Sequence, residues 1–329
     1  MLAFEKKLLR AIRHWDCGSE KVLLAVSGGA DSVAMLRGMA AIASKAEISL
    51  EVAHFNHWVR AQAASDQEWV GELCSKLRLR FWTNSVRNMD DQVGHVQKDE
   101  ASLRTMRYQF LIEKAQAADC QSICVAHHAE DQVETVLHHL IRGTSLRGMQ
   151  GIPPDRVLER GIVLRRPLLN FSRQEILDYL QELGQKYRHD VTNDDPNYTR
   201  NRIRQELIPL LQTYNANFSE HLIGLTNQIA EAHTFHLDLV RAALKEAVLS
   251  NQADHVRILI EPICNLPEFL QREFFVELWA QQSWPRQKMT SDDWDRLKNM
   301  LTQNEGSLKL SASIIVVRRA QMIVIERET

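Results

Sequence analysis

Val22-Leu23-Leu24-Ala25-Val26-Ser27-Gly28-Gly29-Ala30-Asp31-Ser32 is the stretch whose reading decides the fold. Val22 to Val26 is a short apolar run followed by turn residues, the pattern of a strand buried inside a parallel sheet. From Asp31 onward Val33, Met35, Leu36, Met39, Ala40 and Ala43 recur at helical spacing. Between strand and helix lies Ser-Gly-Gly. Its glycines permit backbone angles that other residues resist and let a ligand approach the main chain. Successive amides in such a turn form an anion nest, and the helix adds its free N–H groups and positive dipole end. Ser27 and Ser32 add hydroxyl donors. Asp31 suits this setting if it holds Mg²⁺, which takes carboxylate and phosphate oxygens together.

No Gly-Lys-Ser/Thr follows, so this is not a Walker A loop, and the third glycine of a dinucleotide fingerprint is missing. Ser27-Gly28-Gly29-Ala30-Asp31-Ser32 resembles the loop of the PP-loop ATP pyrophosphatases. That resemblance implies cleavage of ATP between its α- and β-phosphates, adenylation of an oxygen and release of pyrophosphate.

Working outward, residues 2–14 are expected to form a helix on the sheet. Ile48–Phe55 reads as a second strand, whose carboxyl end brings His54, Asn56 and His57 to the ligand end of such a sheet. Helix 66–77, a third strand at Leu79–Val86 and a polar loop at 87–98 follow. Glu100–Ala118 is a helix with Arg104 and Arg107 one turn apart. Ser122–Ala126 is a strand, and the helix after it runs to Arg142 and stops at Gly143. Strands alternating with helices predict an α/β doubly wound, mostly parallel sheet.

His127, Asp131 and Glu134 stand where that strand meets its helix. Asp131 and Glu134 share a helical face. Three readings stay open: a metal site, acids that stabilise the helix dipole, or carboxylates that receive an amine or share Mg²⁺ with phosphates. Arg142 to Pro154, with three glycines and two prolines, reads as a flexible loop carrying Arg142 and Arg147. Val163–Leu169 is the expected last strand and its exit. Ser172–Leu183 is a helix with Ser172 as N-cap and Glu175 completing a capping box. Asp190 to Arg204 begins turn-rich and becomes a helix, and Arg200, Arg202 and Arg204 are expected near phosphates.

Beyond 214 the pattern changes. Residues 217–250 read as one long helix, Pro262–Gln282 and Ser291–Leu301 as further helices, and Ser307–Arg319 with Met322–Glu326 as a terminal β-hairpin. The expected division is 1–214, an ATP-binding catalytic domain, and 215–329, a smaller, mainly helical domain.

The chain has 329 residues, enough for two domains, and its 44% hydrophobic and 25% charged content is that of a water-soluble globular protein. With no apolar run of membrane-spanning length and no signal-peptide core at the N-terminus, a cytoplasmic location is expected. Five scattered cysteines build no disulfide framework, and Cys120 with Cys124 lacks zinc-knuckle spacing. The net charge of −2 hides a basic stretch: Arg142–Arg204 carries twelve Lys/Arg against eight Asp/Glu, which permits a nucleic-acid partner without demanding one.

Together, Ser27–Ser32, His54 to Arg60, Glu100 with Arg104-Thr105-Met106-Arg107-Tyr108, His127–Thr135, Arg142–Ile152, Arg166–Leu169 and Arg200-Asn201 with Arg204 resemble the tRNA(Ile)-lysidine synthetases, in the order and spacing of that family. The match runs from about 21 to 211. The tail resembles the helical domain of the family's shorter members. Glu130 stands where the family usually has Asp, and Val59 where it usually has Leu.

The resemblance implies ATP-dependent ligation of L-lysine to C2 of the wobble cytidine of a CAU-anticodon isoleucine tRNA, through an adenylated cytidine. Reading would change from AUG to AUA and identity from Met to Ile. It implies that Ser27–Ser32 hold the pyrophosphate, with Asp31 near Mg²⁺ and with His54, Asn56 and His57 around ATP. Asp131 and Glu134 would bind and deprotonate the lysine ammonium. Arg107 and Arg200 would stabilise the adenylate or the lysine carboxylate, and Arg142, Arg147 and Arg204 would meet substrate. A monomer or a homodimer suits the sequence equally. Rival readings are a PP-loop thiolase, disfavoured by the lack of Cys-x-x-Cys, an amidating synthetase on a small acid, and a nucleotide-binding sensor that does not cleave ATP.

Overall fold

The parallel core of the structure is built by strands that face two layers at once. In a computed structural model of the chain, all residues are described except 16–19, 57–62, 86–99, 189–198, 253, 304, 312 and 328–329. The His57 expectation, the loop at 87–98 and the turn-rich start of the Asp190–Arg204 segment therefore lie outside the described residues. The chain divides into two compact units, Met1–Thr226 and Asn227–Thr329.

In the first unit the elements run α1 (Ala3–Ala11), β1 (Lys21–Ala25), α2 (Ala30–Ala46), β2 (Ser49–Asn56), α3 (Ala63–Lys76), β3 (Arg80–Ser85), α4 (Glu100–Ala117) and β4 (Ser122–Cys124). They continue with α5 (Ala129–Arg142), α6 (Leu146–Met149), β5 (Asp155–Val157), β6 (Val163–Arg165) and α7 (Arg173–Glu182). α8 (Thr199–Arg202) then leads through a π turn (Ile203–Leu207) into α9 (Ile208–Tyr214).

The sheet order is β3-β2-β1-β4-β6-β5, parallel except that β5 pairs antiparallel with β6. Strand periodicity sorts the side chains: Val22, Leu24, Val52 and Cys124 enter the core beneath α1, α2, α3 and α7, while Leu23, Ala53, Phe55 and Ile123 enter the core beneath α4. Each fully buried aliphatic side chain is worth roughly 1.5–3 kcal/mol, so a β1 buried on both faces anchors the loop that leaves it. The sheet order reverses between β1 and β4. That is a topological switch point, where a crevice opens at the carboxyl ends of the strands.

α7 starts as its capping box predicts. Glu175 N donates to Ser172 Oγ (3.2 Å) and Ser172 N to Glu175 Oε2 (2.8 Å), while Lys7 Nζ reaches Glu175 Oε1 at 2.6 Å from α1. The stretch read as a flexible loop, Arg142–Pro154, is instead pinned to α5. Ile152 N donates to Gln132 Oε1 (2.5 Å), Gln132 Nε2 to Ile152 O (2.9 Å) and His139 Nδ1 to Gly148 O (2.7 Å). Long-range side-chain anchors of this kind leave no mark in local composition.

α10 (Phe218–Ala247) spans the division between the units. The second unit then holds β7 (Val248–Gln252), β8 (His255–Leu259), α11 (Glu261–Cys264), α12 (Glu268–Gln281), α13 (Ser291–Asn299), β9 (Glu305–Leu310), β10 (Ile314–Arg319) and β11 (Met322–Arg327). The expected hairpin is part of a five-stranded antiparallel sheet ordered β7-β8-β11-β10-β9. The segment read as one strand from Ser307 to Arg319 turns back on itself, with Ser313 in the left-handed region at φ 57°. The long helix ends before 250 because Val248 begins β7, which pairs with β8. Trp279 seals this core, with edge contacts to Trp284 (4.9 Å between ring centroids) and Trp294 (5.3 Å). Among the described residues no helix is long and apolar enough to cross a membrane.

Candidate active site

Ser32, one turn into α2, folds the loop that precedes it. Its Oγ accepts from Ser27 N (3.2 Å) and Gly28 N (3.1 Å) and donates to Gly29 O (2.9 Å). Gly28 has φ +96°, a conformation side-chain-bearing residues resist, and a Cβ there would meet Val70 Cγ2 at 3.4 Å. Arg188 N donates to Gly28 O at 2.9 Å. His54, buried at the end of β2, donates from Nδ1 to Val26 O at 2.8 Å. Burial holds it below its ordinary pKa, so it is a neutral brace. Asn56 is buried beside it and donates to Gln67 Oε1 at 3.4 Å. The Ser27–Ser32 turn runs into the N-terminus of the 17-residue α2, an arrangement able to offer N–H groups to phosphate oxygens.

The carboxylates gather at the start of α5, across the switch point from this loop. His128, missed as a functional residue by sequence reasoning, is their hub. Its Nδ1 donates to Glu130 Oε2 at 2.9 Å, and its Nε2 lies 3.8 Å from Asp31 Oδ2 and 3.7 Å from Asp131 Oδ2. Burial opposes its charge, but Glu130, Asp131 and Asp31 outweigh burial and hold its pKa above the ordinary value. Asp31 Oδ1 also accepts from Arg173 NH1, and Glu130 accepts from Arg173 N at 3.0 Å, which ties α5 to α7. Arg173 was not anticipated either. The only local signals were an Arg after a cap and a His before an acidic helix start.

Glu134 is buried and clasped by Arg204 in a two-point pair, Nε to Oε1 at 2.5 Å and NH2 to Oε2 at 3.0 Å. Burial pushes its pKa up and Arg204 only partly offsets this. Arg204 NH2 also lies 3.9 Å from Asp131 Oδ1. Arg200 donates to Thr135 Oγ1 at 2.9 Å, and Arg202 pairs with Glu206 at 3.2 Å. The three arginines expected near phosphates thus each have a protein acceptor here.

His127 feels both Asp131, which supports its charge, and Arg166, which opposes it. Its Nδ1 accepts from Arg166 Nε at 3.2 Å, and burial pushes its pKa down to about 4. Among the described residues no group of three His, Cys, Asp or Glu is placed to hold a metal. The transition-metal reading of His127, Asp131 and Glu134 fails for a physical reason: one ligand is spent on Arg166 and another on Arg204. Mg²⁺ asks for less, one carboxylate with phosphates and water, and Asp31 fits that if it releases Arg173. Arg107 lies on α4 with its Nε buried and unpaired among the described residues. Arg142 and Arg147 are exposed at the end of α5 and in α6.

Residues 2–211 match the PP-loop domain family. The chain is 32% identical to a tRNA(Ile)-lysidine synthase of Rhodopirellula baltica, over 90% of this chain and 84% of that one. It is 33% identical to one of Bacteroides thetaiotaomicron, over 78% and 59%, and 39% identical to one of Dehalococcoides mccartyi, over 73% and 52%. It thus spans little more than half the length of the latter two. Among solved structures, the U34-tRNA thiolase NcsA of Methanococcus maripaludis shares the fold, with TM-score 0.56 over 69% of this chain and 78% of that one at 14% identity.

Proposed function

This chain belongs to the PP-loop tRNA(Ile)-lysidine synthase family, and from that premise we propose that it uses ATP to join L-lysine to C2 of the wobble cytidine of a CAU-anticodon isoleucine tRNA. The observation that carries the reading is the meeting, at one switch point, of a glycine loop at a helix N-terminus with partly buried carboxylates from a neighbouring strand–helix junction. A phosphate loop alone would serve many reactions. A loop that carries Asp31 and lies near Asp131 through His128, with Glu134 a turn further along α5, suits one that first handles a polyphosphate and then an amine.

The chemistry divides into two steps. The C2 oxygen of cytidine attacks the α-phosphorus of ATP; an O–P bond forms, the α–β anhydride breaks and pyrophosphate leaves. The lysine amine then attacks C2; a C–N bond forms, the C–O bond breaks and AMP leaves. In the first step Ser27–Ser32 hold the departing pyrophosphate with main-chain and hydroxyl donors; Asp31 would hold Mg²⁺, which would supply neutralisation of the phosphate charge. His54 keeps Val26 and the start of the loop in place. In the second, Asp131 and Glu134 attract the ammonium and accept its proton. Glu134's raised pKa suits it to take that proton. Arg204 occupies this carboxylate in the structure, so the ammonium must displace it or share it. Arg107, whose Nε is buried without a hydrogen-bond partner among the described residues, would meet a phosphate or carboxylate oxygen, and Arg200, which donates to Thr135 on α5, would do likewise.

Asp131→Asn removes an amine acceptor without touching the Ser27–Ser32 loop. Lysine transfer is expected to fall at least about 100-fold while ATP affinity stays within about twofold, a difference of roughly 3 kcal/mol in the transfer step. Undiminished transfer would refute the roles given to these acids.

A further inference from the structure

Near His127, four guanidinium groups gather about one tyrosine. The Cζ atoms of Arg104, Arg107 and Arg156 lie 5.2, 5.5 and 6.0 Å from the Tyr108 ring centroid. The fourth, Arg166, is buried, donating to His127 Nδ1 and, from NH1 at 2.6 Å, to Pro153 O. These residues come from α4, from β5 and from the exit of β6, so they sit at the ligand end of the parallel sheet. Two polar atoms in the cluster, Arg107 Nε and the Tyr108 hydroxyl, are buried with no well-formed hydrogen bond among the described residues, although Tyr108 itself supports the charge of Arg107. Like charges have been gathered: burial and Arg104 hold Arg107 below its ordinary pKa, and burial with Arg156 and Arg104 does the same to Arg166. Asp155 is the carboxylate that opposes this at Arg166. A fold gains nothing from four clustered cations and two poorly satisfied polar atoms unless an anion completes them.

We infer that the Arg104–Arg107–Arg156–Arg166 cluster around Tyr108 is a binding site for the phosphodiester groups of an RNA strand. This rests on the proposed function, since it places the strand carrying the target base against the acids. A free amino acid's carboxylate is a single charge that one guanidinium fork satisfies. Here the cations run from exposed (Arg104, Arg156) to buried (Arg166), the arrangement that serves successive phosphates, with the tyrosine ring as a stacking platform between them.

The test is the salt dependence of binding of a CAU anticodon stem-loop RNA to the full chain, wild type against Arg104→Gln/Arg156→Gln. Both side chains are exposed, so the fold is retained, which a thermal melt checks. Each lost phosphate contact on a single strand lowers the slope of log K against log[salt] by about 0.7, so the double variant is expected to lose about 1.4 in slope and about 10-fold in affinity near 0.1 M salt. Arg104→Lys/Arg156→Lys is expected to restore most of the slope. An unchanged slope overturns the assignment. So does a second outcome, in which RNA binding is unaffected but the glutamine variant no longer prefers L-lysine over 1,5-diaminopentane as amine; the cluster would then be a carboxylate site. RNA bound with the reduced slope but never joined to lysine supports this site and refutes the proposed function. A wild-type chain that binds no RNA refutes both.

Discussion

The acids at the start of α5 and the arginines around Tyr108 both act on His127, and they treat charge in opposite ways. Asp31, Glu130, Asp131 and Glu134 are each matched inside the protein, by Arg173, His128 or Arg204. Among the described residues, Arg104, Arg107, Arg156 and Arg166 meet one carboxylate, Asp155 acting on Arg166, besides the neutral acceptors His127 Nδ1 and Pro153 O and the Tyr108 ring. The difference teaches what each region awaits. The acids already hold cations that a substrate ammonium or Mg²⁺ must replace, so their ligands enter by exchange. Among the described residues the arginines have one carboxylate between four cations, so their ligand enters by addition.

The largest effect expected of breaking this contrast is on the acidic side. Glu134→Gln keeps the shape but removes the charge that Arg204 clasps. Lysine transfer should fall about 100-fold, and because Arg204 is half exposed, stability should fall by only about 1–2 kcal/mol rather than the full cost of breaking a deeply buried pair. Single-turnover transfer and urea unfolding read the two quantities. Next comes the phosphate loop. Gly28→Ala places a side chain at φ +96° and against Val70, and should weaken ATP binding about tenfold, as followed by calorimetry.

A smaller effect separates the two regions by pH. His127 is held neutral down to about pH 4, whereas in the unfolded chain it titrates near 6.5. A base with a depressed folded-state pKa binds its proton more readily when unfolded. Its contribution to stability is therefore present above about pH 6.5 and is lost as the pH falls toward 4. His127→Gln should flatten that part of the curve of melting temperature against pH; an unaltered slope between pH 6.5 and 4 would contradict the assignment. The smallest effect is the most diagnostic of the comparison. Arg104→Gln relieves repulsion and should raise the melting temperature by about 1 °C, whereas Arg173→Gln strips Asp31 of its partner and should lower it by a similar amount. Shifts of the same sign would erase the distinction between the regions.

What the chain displays locally could be read from it. The β1 run, Ser27–Ser32, the helix at Glu100 and the capping box at Ser172 each carry their signal within a few neighbouring residues, and the structure follows them. Strand β5 is three residues long with two of them exposed, and offers no alternation to detect. β7 continues the apolar pattern of the helix before it, so only its pairing with β8 reveals it. The site was legible as a set of residue types, not as a set of pairs. Glu134 and Arg204 are 70 residues apart, and Asp31 and Arg173 are 142 apart. Charges that distant meet only through the sheet order, so no local pattern pairs His128 or Arg173 with the acids, and three arginines in five residues point to phosphate where the fold gives Arg204 a carboxylate.

Incorporation of labelled L-lysine into purified tRNA, with ATP and Mg²⁺, tests the central claim most directly. A CAU-anticodon isoleucine tRNA is compared with a methionine tRNA bearing the same anticodon. The account predicts label in the isoleucine tRNA alone, with one AMP and one pyrophosphate released for each lysine joined. Pyrophosphate released with another acceptor, and no label in either tRNA, would contradict it and leave only the ATP-binding loop standing.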